Sequence, residues 1–413
     1  MIKFEGFDFV PNGVCAPKDF LASGIHVGIK ANSSPDKKDL ALIYSRKPCT
    51  AAAVYTQNQV KGAPIAICKQ NLQNKTAQAV IVNSGNANTC NADGEQKAQM
   101  MCDLAAEALG IDPKDVIVSS TGVIGKIMPI EPIQQHIKEL AAALNEHGNT
   151  DAAEAIMTTD TVSKEVAVTF DLGGVPCTIG GMAKGSGMIH PNMATMLCFI
   201  TTDVAIKPDL LQSALTRVVD DTFNMVSIDG DTSTNDTCAI MASGTAGNPI
   251  IDTMNGPEFQ KFVDGLYIVL MNLSRKIAAD GEGATKLLEC TVSGAVNIQN
   301  AKRIAKGVIT STLFKCAMFG EDANWGRILC AIGYSQADLN IDQVEVILYS
   351  KAGSILVCQH GSGVAFSEEL AAEILKEDEI KIIVNLKDGD GEAIAWGCDL
   401  TYDYVKINGD YRT

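Results

Sequence analysis

The chain has 413 residues, 46% of them hydrophobic and 20% charged, with a net charge of −16 at pH 7. That length allows two domains with buried cores, and the acidic balance argues against a nucleic-acid or anionic-membrane surface as main partner, since both need clustered cations. Thirteen cysteines, nowhere closer than twelve positions apart and never as CxxC, read as small buried hydrophobes in reducing conditions, and five histidines without ligand spacing give no metal site.

At the N-terminus, "MIKFEGFDFVPNG" lacks the apolar core of an export signal, and no apolar run approaches the roughly 20 residues that span a bilayer, so the expected address is the cytoplasm. "LALIYS" (40–45), "AQAVIVNSG" (77–85) and "DVIVSSTG" (115–122) predict short buried strands ending in Ser/Gly turns. Helical spacing appears in "EQKAQMMCDLAAEALG" (95–110), closed by Gly110, and in "IEPIQQHIKELAAALNEHG" (130–148), expected to end at Gly148. A third helix is expected over 150–160, with Thr150 as N-cap. Two β-type runs over 164–185, joined by Asp-Leu-Gly-Gly, predict a hairpin. Helices follow at 208–223, with proline in the first turn, and at 257–280. Beyond Asp280 the texture turns to strands, with helices at about 299–314 and 367–376. The pattern is α/β (or α+β), with a larger domain over 1–285 and a smaller α/β domain over 286–413.

Familiar phosphate and calcium loops fail on inspection. "GGMAKGSG" has Lys-Gly-Ser rather than the Gly-Lys-Ser/Thr order of a Walker A loop. "SIDGDTSTND" (227–236) and "KDGDGEAIAWG" (387–397) place Thr234 or Ala393 where a calcium loop needs glycine; both read as polar turns or active-site loops.

The stretch "KGSGMIHPNMATMLCFITTD" (184–203) sets a Gly/Ser-rich loop with one lysine directly before a buried strand opened by Thr195. A hydroxyl nucleophile needs a base, and His190 has no orienting acid beside it in sequence. If the chain is cut between Ala194 and Thr195, the new α-amine, with a reference pKa of about 7.7–8.0, sits on the nucleophile's own residue. From spacing alone the plainer reading, a β-branched residue opening a strand, has the better claim.

The motif "KGSGMIHPNMATML" resembles the cleavage motif of the ornithine acetyltransferase (glutamate N-acetyltransferase, ArgJ) family of arginine biosynthesis. So do "APKDFLASGIHVGIK" (16–30), "VNSGNANTC" (82–90), "SSTGVIG" (119–125), "IMTTDT" (156–161), "SIDGDTSTNDT" (227–237), "FGEDANWGRI" (319–328), "GDGEAIAWG" (389–397) and "INGDYRT" (407–413), in family order over essentially the whole chain.

The resemblance implies a helix–sheet–sheet–helix sandwich with a smaller C-terminal domain whose tail returns to the active site. It also implies self-cleavage into an α-chain, 1–194, and a β-chain from Thr195, and acetyl transfer from N-acetylornithine to glutamate through acetyl-Thr195. Thr121 and Gly122 are the implied oxyanion donors, and Thr158, Lys184, Thr195, Glu282, Asn408 and Thr413 the implied substrate contacts. No metal or resident cofactor is implied. Some family members also accept acetyl-CoA, and the usual assembly is two α- and two β-chains. Alternatives at this stage are an N-terminal-threonine amidase or aminopeptidase of the same architecture, and an uncleaved, non-enzymatic amino-acid-binding protein. Read without the resemblance, Thr121–Gly122 is a strand-end turn, and Lys184 and Glu282 are surface charges.

Overall fold

The computed structural model describes residues 1–30, 34–190 and 196–410. Within them the chain is of α/β class, built on two mixed sheets covered by helices. The first sheet has nine strands drawn from residues 7–242 and centres on the long strand Leu40–Tyr55. That strand pairs antiparallel with Thr76–Asn83 on one side and with Phe20–Ile25 and Thr237–Ala242 on the other. Its register shifts between Tyr44 and Cys49, a bulge that bends the strand so one chain segment can serve both neighbours. The hairpin Lys164–Leu172/Val175–Lys184 turns at Gly173 and Gly174, both at positive φ, as the Asp-Leu-Gly-Gly run requires.

Each face of this sheet has its own apolar core, because side chains alternate along every strand. Along Leu197–Thr202 and Thr237–Ala242, Cys198, Ile200, Cys238 and Ile240 enter one cluster. Leu197, Phe199, Ala239 and Met241 enter the other. Helices Gly94–Leu109 and Glu131–Ala142 contribute to the second cluster, and Pro208–Asp221 and Pro257–Ala279 to the first. Pro257–Ala279 packs on Lys164–Leu172 and also touches the second sheet, which is why it is apolar over most of its surface.

The second sheet takes its strands from residues 287–398, with the two-residue Val226–Ser227 pairing at its edge. Helix Ile298–Thr310 packs on its strands Leu287–Ala295 and Gly391–Cys398. Ten of the thirteen cysteines are buried as expected, whereas Cys90, Cys316 and Cys330 are exposed.

Three local expectations need correction. The helix expected to run to Gly148 stops at Ala142, because Asn145 and Ala22 exchange backbone hydrogen bonds at 3.1 and 3.2 Å and pull the chain onto the sheet. Gly148, not Thr150, then caps the next helix, Asn149–Ala155, while the Thr150 hydroxyl donates to Glu165 at 3.1 Å. The second half of "KDGDGEAIAWG" is no loop but the strand Gly391–Cys398, whose Trp396 donates its ring N–H to buried Glu289 at 2.9 Å.

Candidate active site

The parallel strands Thr76–Asn83 and Val116–Ser120 end side by side, Asn83 opposite Ser120. In an α/β sheet the loops beyond such carboxyl ends are where ligands bind. Asn83 is fully buried and fixes both loops: its Nδ2 donates to Ser120 Oγ at 2.7 Å, and its Oδ1 accepts the N–H groups of Gly85 and Asn86. The Thr121 N–H is spent on the Asn83 carbonyl at 2.9 Å. The Thr121 hydroxyl and the Gly122 N–H have no acceptor among the described residues. Gly122 holds φ +127°, and a Cβ there would lie 2.9 Å from backbone atoms of Gly85 and Asn86, so only glycine fits.

Asn235 ties this turn to the polar loop before Thr237–Ala242. Its Nδ2 donates to the carbonyls of Ala87 and Ser120, and its Oδ1 accepts from the Thr89 and Thr234 hydroxyls. That loop, "SIDGDTSTND", is the wall of a site. Asp229 in it accepts the N–H groups of Met188 and Ile189 at 2.6 and 2.9 Å, fastening the Gly/Ser-rich loop that leads towards the expected cleavage point.

Lys184 ends its strand opposite Leu197, and Leu197 in turn pairs with Thr237. It is buried, with its ammonium 3.8 Å from Asp160. Asp160 also takes Lys164 at 2.7 Å and the N–H groups of Gly185 and Thr158, and Lys164 reaches Asp280 at 2.5 Å. Burial alone would raise the Asp160 carboxyl, but Lys184 and Lys164 outweigh it and hold it at about 2. Two carboxylates and two ammoniums thus form one buried chain that sets the position of Lys184. Replacing Lys164 with methionine leaves Asp280 without its cation and Asp160 with one fewer, so urea unfolding should show a loss of roughly 3–5 kcal/mol. A change below about 1 kcal/mol would mean the network is not structural.

Glu282 stands on the other flank. Its N–H donates to the Ser186 carbonyl, and its carboxylate accepts from Asn408 Nδ2 at 2.7 Å. Asn408 comes from the helix Tyr402–Asp410, which docks through polar contacts: the Thr401 hydroxyl to the Gly283 carbonyl and the Tyr404 hydroxyl to Asp229.

These elements enclose a cavity of about 150 Å³. Thr121, Gly122, Thr158, Lys184, Glu282 and Asn408 all line it, so every expected site residue within the described range meets at one place. Ala194, Thr195 and Thr413 lie outside the described residues. His190 is not poised as a base: burial, with a smaller push from Lys306, lowers it to about 4, and its Nδ1 faces Ser227 Oγ at 3.0 Å. Sequence reasoning missed Asn83, Asn235, Asp160, Lys164 and Asp280, which hold the lining residues in place; the dense polar runs "VNSGNANTC", "STND" and "TTDT" were the available signal. Among the described residues no cluster of His, Cys, Asp and Glu could hold a metal, and no helix is long and apolar enough to cross a membrane.

The model of the ArgJ family matches residues 21–413. The chain belongs to the ArgJ family. The arginine biosynthesis bifunctional protein ArgJ of Symbiobacterium thermophilum is 50% identical over 407 residues, covering 98% of this chain and 100% of the relative. Its namesake from Bacillus subtilis is 47% identical over 406 residues, covering 98% and 97%. Among solved structures, a chain of the arginine biosynthesis bifunctional protein ArgJ of Bacillus halodurans is 47% identical, with TM-score 0.49 over 52% of this chain and 98% of its own length. A chain of the ornithine acetyltransferase of Mycobacterium tuberculosis, complexed with ornithine, is 37% identical, with TM-score 0.42 over 46% and 100%.

Proposed function

We propose that this ArgJ-family chain cuts itself between Ala194 and Thr195 and moves an acetyl group from N-acetylornithine to Thr195 and then to glutamate, in arginine biosynthesis. The observation that supports this most is the make-up of the cavity: the Thr121–Gly122 turn with two uncommitted donors, one buried ammonium and one carboxylate line the same small space. A zwitterionic amino acid carrying an acylated amine matches that set, with Lys184 on its α-carboxylate and Glu282 on the distal ammonium.

In the first half-reaction Thr195 Oγ attacks the acetyl carbonyl and passes its proton to the α-amine freed by the cut. The tetrahedral oxyanion accepts from the Thr121 hydroxyl and the Gly122 N–H. Collapse breaks the C–N bond, the ornithine nitrogen takes the proton, and the acetyl group stays on Thr195 as an ester. Glutamate's neutral amine then attacks that ester, the same two donors hold the second oxyanion, and Thr195 regains its proton. Two barriers replace one amide exchange, so ping-pong kinetics follow.

Acetyl-CoA, as a second donor charging the same threonine, belongs to this reading, supported by the word bifunctional in the relatives' names. A cytoplasmic setting and an assembly of two α- and two β-chains also belong to it. Incubation with N-acetylornithine and glutamate should yield ornithine and N-acetylglutamate in equal amounts; free acetate in place of N-acetylglutamate would make the chain a hydrolase. Substituting Glu282→Gln should raise KM for N-acetylornithine about tenfold with a smaller effect on kcat, since a charge-assisted contact is lost in both ground and transition state. An unchanged KM would remove Glu282 from the substrate.

A further inference from the structure

Beside the main cavity lies an annex of about 30 Å³. Where roughly 10–15 Å³ of such space holds one water, this suits a few waters or one planar anionic group. Gly122 and Thr158 line both spaces, so the annex opens off the oxyanion turn itself.

Its remaining wall includes Lys30, Lys37, Asp39 and Ser84. The Asp39 carboxylate is turned into the backbone, accepting the N–H groups of Val27 and Ile29 at 2.7 Å each. Ser84 is 7% exposed, and its buried hydroxyl has no partner among the described residues. Lys37 spends one N–H on the Thr158 carbonyl at 2.7 Å, which leaves two donors on its ammonium. Burial first, then the charges of Lys30 and Lys184, pull that ammonium below the usual lysine range, and Asp160 and Asp39 offset this only in part. Two unspent donors on the Lys37 ammonium beside an unspent buried hydroxyl are a setting that an anion completes.

The transfer reaction needs such a place. Donor and acceptor share an α-carboxylate and a nitrogen at the reacting centre, but one side chain ends in an ammonium and the other in a carboxylate. The carboxylate end cannot lie against Glu282 without like-charge repulsion in a partly dry site. We propose that the annex beside Lys37 and Ser84 receives the second carboxylate of the acyl acceptor, while its first carboxylate rests on Lys184. This rests on the acetyl-transfer reading above. The two substrates then use one reacting centre with opposite exits: the cationic side chain towards Glu282, the anionic one past Thr158 and Gly122.

The test offers acetyl-enzyme, prepared with N-acetylornithine and checked by mass, either glutamate or its neutral isostere glutamine. The natural chain should favour glutamate at least about tenfold in kcat/KM, the scale of one charge-assisted contact. Lys37→Met should bring the ratio close to one, and Ser84→Ala should lower it several-fold, chiefly through KM for glutamate. Acetylation by N-acetylornithine, read on the same samples, reports whether each variant is folded and competent in the first half-reaction. A glutamate-to-glutamine ratio unchanged in both variants overturns the proposal. So does a ratio preserved while acetylation by acetyl-CoA falls, which would give these cations to the donor's phosphates. Failure of the natural chain to acetylate at all would instead strike the transfer reading.

Discussion

Replacing Thr195 with alanine should leave a single uncut chain of 413 residues with transfer reduced on the order of 10⁴-fold or more. The effect is large because one residue supplies two things. In the proposed reaction its hydroxyl opens the preceding peptide bond and later carries the acetyl group, and its amine, once freed, is the base for both half-reactions. Serine at the same position keeps both groups, so Thr195→Ser should cut and transfer at a reduced rate. Gel mobility and N-acetylglutamate formation, measured on both variants, check this. An alanine variant that is cut, or that transfers acetyl groups, would show that Thr195 is not the nucleophile.

The second large effect is expected at Gly122. Alanine there meets backbone 2.9 Å away at a φ of +127°, and no flexible side chain can yield to it. The turn must shift, and with it the N–H proposed to meet the oxyanion. Removing one such donor typically costs roughly 10²–10³-fold in kcat, so Gly122→Ala should lose at least that much while KM changes little. Some stability should go as well, because the 85–87 loop is pinned on both sides by Asn83 and Asn235. A variant with near-normal kcat would show that this turn is not the oxyanion site. Thr121→Ala separates the two donors: it removes the hydroxyl without moving the backbone, and a smaller loss is expected.

Much of the fold was legible because its signals are local. The hairpin over 164–184 announces itself through two glycines that must take positive φ, and Pro208 and Pro257 open the helices their positions predict. What was hidden depends on partners far along the chain. Nothing near Asn145 says that the helix must stop early; Ala22, 123 positions away, does that by pairing with it. Lys164 and Asp280 stand 116 positions apart, so no spacing rule could have joined Asp280 to the Asp160–Lys164 pair. The same holds for Asn235, whose side chain reaches the end of a strand 115 positions earlier. Within the site, the lining residues came from recognisable motifs, whereas the holding contacts of Asn83, Asp160 and Asn235, which lie in the same motifs, came only from the fold. The stretch 393–408 belongs to the strand-like texture beyond Asp280, yet it divides after Cys398. Its second half is the helix Tyr402–Asp410, which buries none of its residues and so lacks the apolar stripe that sequence reading depends on.

The proposed chemistry rests on a cut that turns an internal threonine into a chain start. The most direct measurement is intact mass spectrometry of the purified protein before and after incubation with N-acetylornithine alone. Two polypeptides, 1–194 and 195–413, should appear, and only the second should gain about 42 Da, the acetyl ester that waits for an acceptor. An unbroken chain that forms N-acetylglutamate at full rate, or an acetyl group carried elsewhere, would contradict the account.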